Sequence, residues 1–177
     1  MNKLLIVIDM QKDFIDGALG TPEAAAIVPK VREKILSYPP EMVYATMDTH
    51  SEDYLSTQEG RRLPVVHCVR GTEGWALEAS LAPLIPPAHI FEKPSFGSVA
   101  LAQAMAALPE TEEIELVGVC TDICVVSNAL LLKAYLPEVK LSVDAACCAG
   151  VTPEKHQAAL ETLRSCQVEV VREGKVK

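Results

Sequence analysis

Gly118-Val119-Cys120-Thr121-Asp122-Ile123-Cys124 is the stretch on which the reading of this chain turns. The run before it, Ile114-Glu115-Leu116-Val117, has the apolar character of a short buried strand. The run after it, Val125 to Ala134, is long and apolar enough for a buried helix. Gly118 marks the break between them. A strand, a tight turn and a helix follow one another, and the first helical turn carries Cys124. Backbone N–H groups at a helix start lack intrahelical partners, and the dipole there is positive. A thiol so placed is expected to have a lowered pKa, and its thiolate is a nucleophile. The same N–H groups can hold the oxyanion formed when a thiolate attacks a carbonyl. The competing reading makes Cys124 a small core residue, as free cysteines commonly are.

Working outward, apolar runs at Leu4–Ile8, Met42–Met47, Val65–Val69, His89–Glu92, Val139–Val143 and Val168–Val171 read as further strands. Between them lie helical stretches. Thr21-Pro22-Glu23 caps one that runs to about Ser37, with Ile27, Val31 and Ile35 on one face. Leu77–Leu84 is weakly helical, Val99–Leu108 is alanine-rich, and Thr152-Pro153-Glu154 opens a last helix running to about Cys166. The tail, Arg172 to Lys177, is expected to fray. This alternation predicts a three-layer α/β sandwich: a mostly parallel, Rossmann-like sheet of about six strands with helices on both faces. The 177 residues are expected to form one domain, 1–177.

Composition narrows the function classes. The chain is 49% hydrophobic and 23% charged, which suits a sheet covered on both faces rather than a disordered chain. A net charge of −8 argues against nucleic acid or an anionic membrane as the partner. At 5% aromatic residues there is no stacking platform for single strands. No run of about 18 apolar residues is present to span a bilayer, and the N-terminal apolar run is too short for a signal peptide. The cysteines (68, 120, 124, 147, 148 and 166) sit inside apolar segments, the pattern of reduced thiols in the cytoplasm.

In parallel α/β sheets, ligands bind beyond the carboxyl ends of the strands. Asp9, Asp48, His50, His67, Lys93 and Cys124 all fall at or just after strand ends, hence on one rim. A lysine near a cysteine stabilises thiolate, and an aspartate near both can move protons among thiol, leaving group and water. Asp48, His50 and His67 have the residue types of a three-ligand metal set that leaves positions open. The plainer reading leaves His50 in a loop and His67 buried and hydrogen-bonded.

Four segments carry a family resemblance: Leu5–Phe14, Asp48-Thr49-His50 with Pro64–Thr72, Lys93–Ser98, and Gly118–Val125. Together they resemble the isochorismatase-like cysteine hydrolases, and among these the nicotinamidases. The segment Asp144-Ala145 and the helix carrying His156 are similar too. The resemblance implies a triad of Asp9, Lys93 and Cys124, and a cis Val119–Cys120 peptide that turns the Cys120 N–H, with that of Cys124, toward an oxyanion. It implies that Asp48, His50 and His67 bind a divalent metal (zinc, iron or manganese), with Glu59 as the further ligand and Glu52 behind it. Phe14 matches an aromatic lining the substrate ring, and Leu63 and Trp75 are the other pocket candidates. Many members carry Trp-Pro-x-His before the metal histidine, whereas Leu63-Pro64-Val65-Val66-His67 lacks the tryptophan and is one residue longer. Cys120 stands where alanine is common, and Ile123 replaces a frequent tyrosine.

The expected activity is hydrolysis of a small-molecule amide, nicotinamide, to nicotinate and ammonia through a thioester, a step of NAD salvage in the cytoplasm. Self-association into a homo-oligomer is implied as well. The alternatives are another small-amide or ureido hydrolase using the same triad, a non-catalytic binding or assembly protein, and a redox sensor built on Cys120 and Cys124.

Overall fold

The computed structural model describes residues 2–173, so 174–177 of the expected frayed tail lie outside the described residues. Along the chain run β1 (Asn2–Ile8), α1 (Lys12–Ile15), α2 (Pro22–Leu36), β2 (Val43–Asp48), α3 (Gln58–Arg62) and β3 (Ile90–Lys93). Then come α4 (Val99–Ala107), β4 (Thr111–Val119), α5 (Val126–Tyr135), β5 (Lys140–Ala149), α6 (Pro153–Ser165) and β6 (Glu169–Val171). The six strands form one sheet of order β3-β2-β1-β4-β5-β6, and every pairing is parallel. The strand order reverses between β1 and β4, so the crevice of this α/β sheet opens beyond Ile8 and Val119.

Strand pleating sends successive side chains to opposite faces. Along β1, Leu5 and Val7 enter one core layer with Ile27, Val31 and Ile35 of α2. Leu4, Ile6 and Ile8 enter the other with Leu101 and Met105 of α4, Leu132 of α5 and Leu160 and Leu163 of α6. The α2 start has the expected cap, Thr21 Oγ1 accepting from the Ala24 N–H at 3.0 Å. Pro29 sits inside that helix on its exposed side, where the carbonyl it leaves unpaired can be hydrated.

Several elements differ from the sequence reading. Val65–Val69 is not a sheet strand. The β2 edge is already taken by β3, and this segment passes beyond the strand ends, where Val69 bridges to His50. Leu77–Leu84 forms only a single turn, Ala82–Leu84, because its start is drawn out against Met10 and Gln11. β5 continues past Asp144 to Ala149, with a register shift opposite β4. Gly118 does not end β4. It lies inside the strand at φ 122°, and a Cβ there would meet the Ile8 carbonyl oxygen at 2.1 Å. Only glycine permits that approach between the two central strands.

A buried charge cluster ties α2 to the sheet. Lys34 Nζ lies 2.9 Å from Glu115 Oε1 and 2.8 Å from Asp144 Oδ2. The Tyr38 hydroxyl donates to Glu115 Oε2 at 2.5 Å, and Arg172 Nε donates to Asp144 Oδ2 at 2.7 Å. Arg172, read as frayed, is therefore an anchor. Burial opposes the charge on Asp144, but the hydrogen bonds from Arg172 and Lys34 outweigh it and hold the carboxyl below its ordinary range. A carboxyl so depressed contributes stability above its unfolded pKa and loses it as the pH falls.

Lys34→Met should therefore strip two buried carboxylates of their shared partner and lower stability by roughly 3 kcal/mol at pH 7. Urea midpoints of both proteins at pH 7 and near pH 3 check this. The gap should narrow as the pH falls, because protonation of Asp144 removes the charge that Lys34 pairs with, and equal midpoints at pH 7 would refute the cluster's role.

Candidate active site

The carboxyl ends of β1, β2 and β3 and the turn after β4 converge on one point. Asp9 follows β1 at φ 47°, a left-handed conformation that aspartate tolerates better than most residues. The turn brings its fully buried carboxylate back over the strand ends. Its Oδ1 accepts from the Thr46 hydroxyl at 2.6 Å. Its Oδ2 lies 2.7 Å from Lys93 Nζ and, among the described residues, has no other hydrogen-bond partner. Lys93 closes β3 and is itself buried. Its ammonium also donates to the Ser95 carbonyl at 3.0 Å and lies 3.4 Å from Cys124 Sγ and 3.5 Å from Asp48 Oδ1.

Cys124 sits in a wide π-helical turn, Thr121–Val125, that precedes α5. The Val119–Cys120 peptide is cis. The Cys120 carbonyl accepts from the N–H groups of Ile123 and Val125, while the Cys120 N–H has no partner among the described residues. That free donor and the sulfur belong to one turn, which is what an oxyanion site at the nucleophile requires.

Electrostatics correct one expectation. Burial pushes the Cys124 thiol up, and the Asp9 charge adds to this more than Lys93 offsets it. The resting group is the thiol, not a preformed thiolate, with the Asp9 carboxylate beside it. Burial also raises the Asp9 carboxyl against the pull of Lys93, which makes it a stronger base than a surface aspartate. Burial disfavours charge on Lys93, yet the Asp9 and Asp48 carboxylates outweigh it and hold the ammonium protonated. Burial, with Asp122 and Asp9, lifts the Cys120 thiol to about 12, so Cys120 offers no thiolate near neutrality for a redox partnership.

Beside this trio stands a second group. Asp48, His50, Glu59 and His67 offer ligand atoms that all lie within 4.8 Å of one another. His50 Nε2 is 2.9 Å and His67 Nε2 3.5 Å from Asp48 Oδ2, and each is 3.8 Å from Glu59 Oε1. The Val65 carbonyl can only accept, so at 2.7 Å it fixes the hydrogen on His67 Nδ1. That turns the Nε2 lone pair of a neutral His67 toward two carboxylates. Burial and the Asp48 charge raise the Glu59 carboxyl, the mark of like charges crowded together. Converging lone pairs of two imidazoles and two carboxylates fit a divalent cation. Glu52 is exposed and outside the group, so the fallback ligand is excluded.

A cavity of about 270 Å³ joins the two groups, with Asp48, Glu59, His67, Cys120 and Cys124 on its wall. Phe14 and Leu63 line it. Trp75 does not: its indole N–H donates to Thr49 Oγ1 at 2.9 Å, its carbonyl accepts from Gln11 Nε2, and its ring packs on the core. Phe96 and Ile123 supply apolar wall instead, and Lys155 and Val151 reach it from the start of α6.

Several supporting residues escaped the sequence reading. Gln11 grips the Asp48 backbone from both sides, donating to its carbonyl at 2.8 Å and accepting from its N–H at 2.7 Å. Asp13 accepts from the Cys68 N–H at 2.8 Å and so holds the segment that carries His67. Asn128 donates to the carbonyls of Cys124 and Phe96 and accepts from the Ser98 N–H, locking the loop after Lys93 to the cysteine turn. Tyr54 packs edge-on against both histidine rings. Polar residues next to charged ones gave Gln11 and Asp13 the look of ordinary loop residues.

Comparison with known proteins bears on what this arrangement does. The isochorismatase domain family matches residues 3–173. A Bacillus subtilis isochorismatase family protein, PncA, described as uncharacterized, is 33% identical over 175 residues, covering 90% of this chain and 93% of that protein. The nicotinamidase/pyrazinamidase of Mycobacterium tuberculosis is 26% identical over 184 residues, covering 96% and 98%. The crystal structure of Pyrococcus horikoshii pyrazinamidase in complex with zinc superposes with a TM-score of 0.81 at 28% identity, covering 98% of this chain and all of that one.

The four-donor group yields a direct expectation. Zinc titrated calorimetrically into the chain should bind, and Glu59→Ala or His67→Ala should weaken it by at least about tenfold. Glu52→Ala should leave the affinity unchanged. Unaltered binding in the first two variants would rule the group out.

Proposed function

The chain belongs to the isochorismatase family, and from that premise we propose that it is a nicotinamidase, hydrolysing nicotinamide to nicotinate and ammonia. One observation carries the reading. Lys93 Nζ lies 2.7 Å from Asp9, 3.4 Å from Cys124 and 3.5 Å from Asp48, so Cys124 and the four-donor group, which meet at one cavity, share one buried cation. A ring amide can be gripped by its ring on one side and attacked at its carbonyl on the other.

Cys124 Sγ adds to the carboxamide carbon while its proton passes to Asp9 Oδ2, the oxygen left free by the Thr46 bond. Negative charge develops on the amide oxygen. The N–H groups of Cys120 and Cys124 receive it, an effect of about 3 kcal/mol for each donor. Asp9 returns the proton to the amide nitrogen, the C–N bond breaks, and ammonia leaves a thioester on Cys124. Water then attacks the thioester carbon and gives a proton to Asp9. The C–S bond breaks, Asp9 returns that proton to the sulfur, and the acid loses its remaining proton to solvent and departs as nicotinate. Lys93 stays charged throughout and keeps Asp9 and Sγ in register. A divalent ion, zinc in the first instance, held by Asp48, His50, His67 and Glu59, would supply a Lewis-acidic anchor for the pyridine nitrogen. Phe14, Leu63, Phe96 and Ile123 would sandwich the ring and exclude water.

We also assign the chain to the cytoplasm. All six cysteines are free, and no helix among the described residues is long and apolar enough to cross a membrane.

Ammonia release from nicotinamide tests the reading. Cys124→Ala should reduce it to background without unfolding the chain, and Asp9→Asn should lower kcat by about 10²–10⁴. Chelation should remove activity and added zinc should restore it. Turnover by Cys124→Ala would sink the mechanism. Inert nicotinamide alongside turnover of other small amides would sink only the substrate.

A further inference from the structure

The turn that bears the oxyanion donors is gripped from behind by residues with no part in the chemistry. Thr121, the residue after Cys120, is fully buried, and its Oγ1 lies 2.7 Å from His156 Nδ1 on α6. His156 is the only side-chain partner of that hydroxyl among the described residues. The next residue, Asp122, accepts from the Val151 N–H at 2.9 Å. Between these bonds sits Gly150, where a Cβ would meet the His156 nitrogen at 2.8 Å and the Asp122 carboxylate at 2.9 Å. α6 thus begins in direct contact with the turn. Its own first turn is set by Thr152, which accepts from the Lys155 N–H through its side chain and from the His156 N–H through its carbonyl. Burial lowers the pKa of His156 even though Glu173 and Asp122 face it, so the ring is neutral and can keep a hydrogen bond to a hydroxyl.

We propose that His156 is a positioning residue for the oxyanion turn, fixing the Cys120 N–H against the nucleophile through its contact with Thr121. The inference rests on the cysteine mechanism above. A pair of donors placed for a tetrahedral oxyanion loses effect when displaced by a fraction of an ångström, whereas binding of a planar ligand in the cavity does not depend on them. The contact should therefore act on kcat and leave KM nearly alone.

The test compares His156→Ala, His156→Asn and His156→Gln with the pair Thr121→Val and Thr121→Ser. Asparagine can place a polar atom where Nδ1 stands, and glutamine cannot without moving. His156→Ala and Thr121→Val should each lower kcat for nicotinamide at least about tenfold with KM within about twofold of wild type. His156→Asn and Thr121→Ser should recover most of the loss, His156→Gln should not, and Thr121→Val/His156→Ala should be no worse than either single change. A second readout needs no turnover. Pyridine-3-carbaldehyde adds the Cys124 thiol across its C=O bond, forming a C–S bond and a tetrahedral hemithioacetal whose oxygen occupies the same hole. Its affinity should fall in step with kcat, while that of planar nicotinate holds.

Unchanged kcat and aldehyde affinity in folded His156→Ala would overturn the proposal, as would additive losses in the double variant. Should His156→Ala fail to fold, the Thr121 pair decides alone, because it changes one hydroxyl and keeps the ring. Wild-type protein inert toward nicotinamide but trapped by the aldehyde would refute the substrate and leave the positioning role to the aldehyde series. Wild type inert in both would overturn the cysteine mechanism and the inference together.

Discussion

One buried ammonium group organises the rim at the carboxyl ends of the strands. Lys93 is almost wholly removed from water, a state that costs several kcal/mol unless opposite charge surrounds it. Asp9 and Asp48 provide that charge from the ends of neighbouring strands, and the Ser95 carbonyl takes a further hydrogen. The carboxylates are likewise intolerable without the lysine. Each member of the set is buried because the others are, and Cys124 inherits a fixed position beside a permanent cation. Removing the lysine would leave two carboxylates facing a thiol that they already keep protonated.

This mutual dependence accounts for the order of the sheet. Asp9, Asp48 and Lys93 close β1, β2 and β3, three adjacent parallel strands, so one register fixes all three side chains. The register pairs Asp48 directly with Lys93. Gly118 lets β4 approach β1 closely enough to bring the cysteine turn over the same rim. The apolar strands and the charged rim are one design: the sheet excludes the water that would otherwise screen the charges.

Much of this was legible in the sequence because parallel strands end where their apolar runs stop. Asp9, Lys93 and Cys124 could be placed on one rim without coordinates, as could Asp48, His50 and His67. What stayed hidden depends on contacts between distant segments. Val65–Val69 has strand composition but no free sheet edge, so only tertiary context shows it as an extension carrying His67. Trp75 looked like pocket wall by its residue type, yet Gln11 and Thr49 hold it away. The Cys124 pKa was misjudged for the same reason. A helix start and a lysine favour thiolate, but the weight of burial and of the Asp9 charge is visible only once the side chains are packed.

The cavity is built from two kinds of parts. The groups proposed to react stand at the carboxyl ends of β1 and β3 and in the turn after β4, whereas Glu59 and Leu63 lie on or just after α3, a five-residue helix in the connection from β2 to β3. That short helix is capped by Thr57 and leans on Tyr54, and contributes nothing to the sheet's pairing. Evolution can therefore rewrite the β2–β3 connection, and with it the molecule that is gripped, without touching the register that sets Asp9 and Lys93 at the strand ends. Diversification of recognition over unchanged chemistry is what such a division of labour permits.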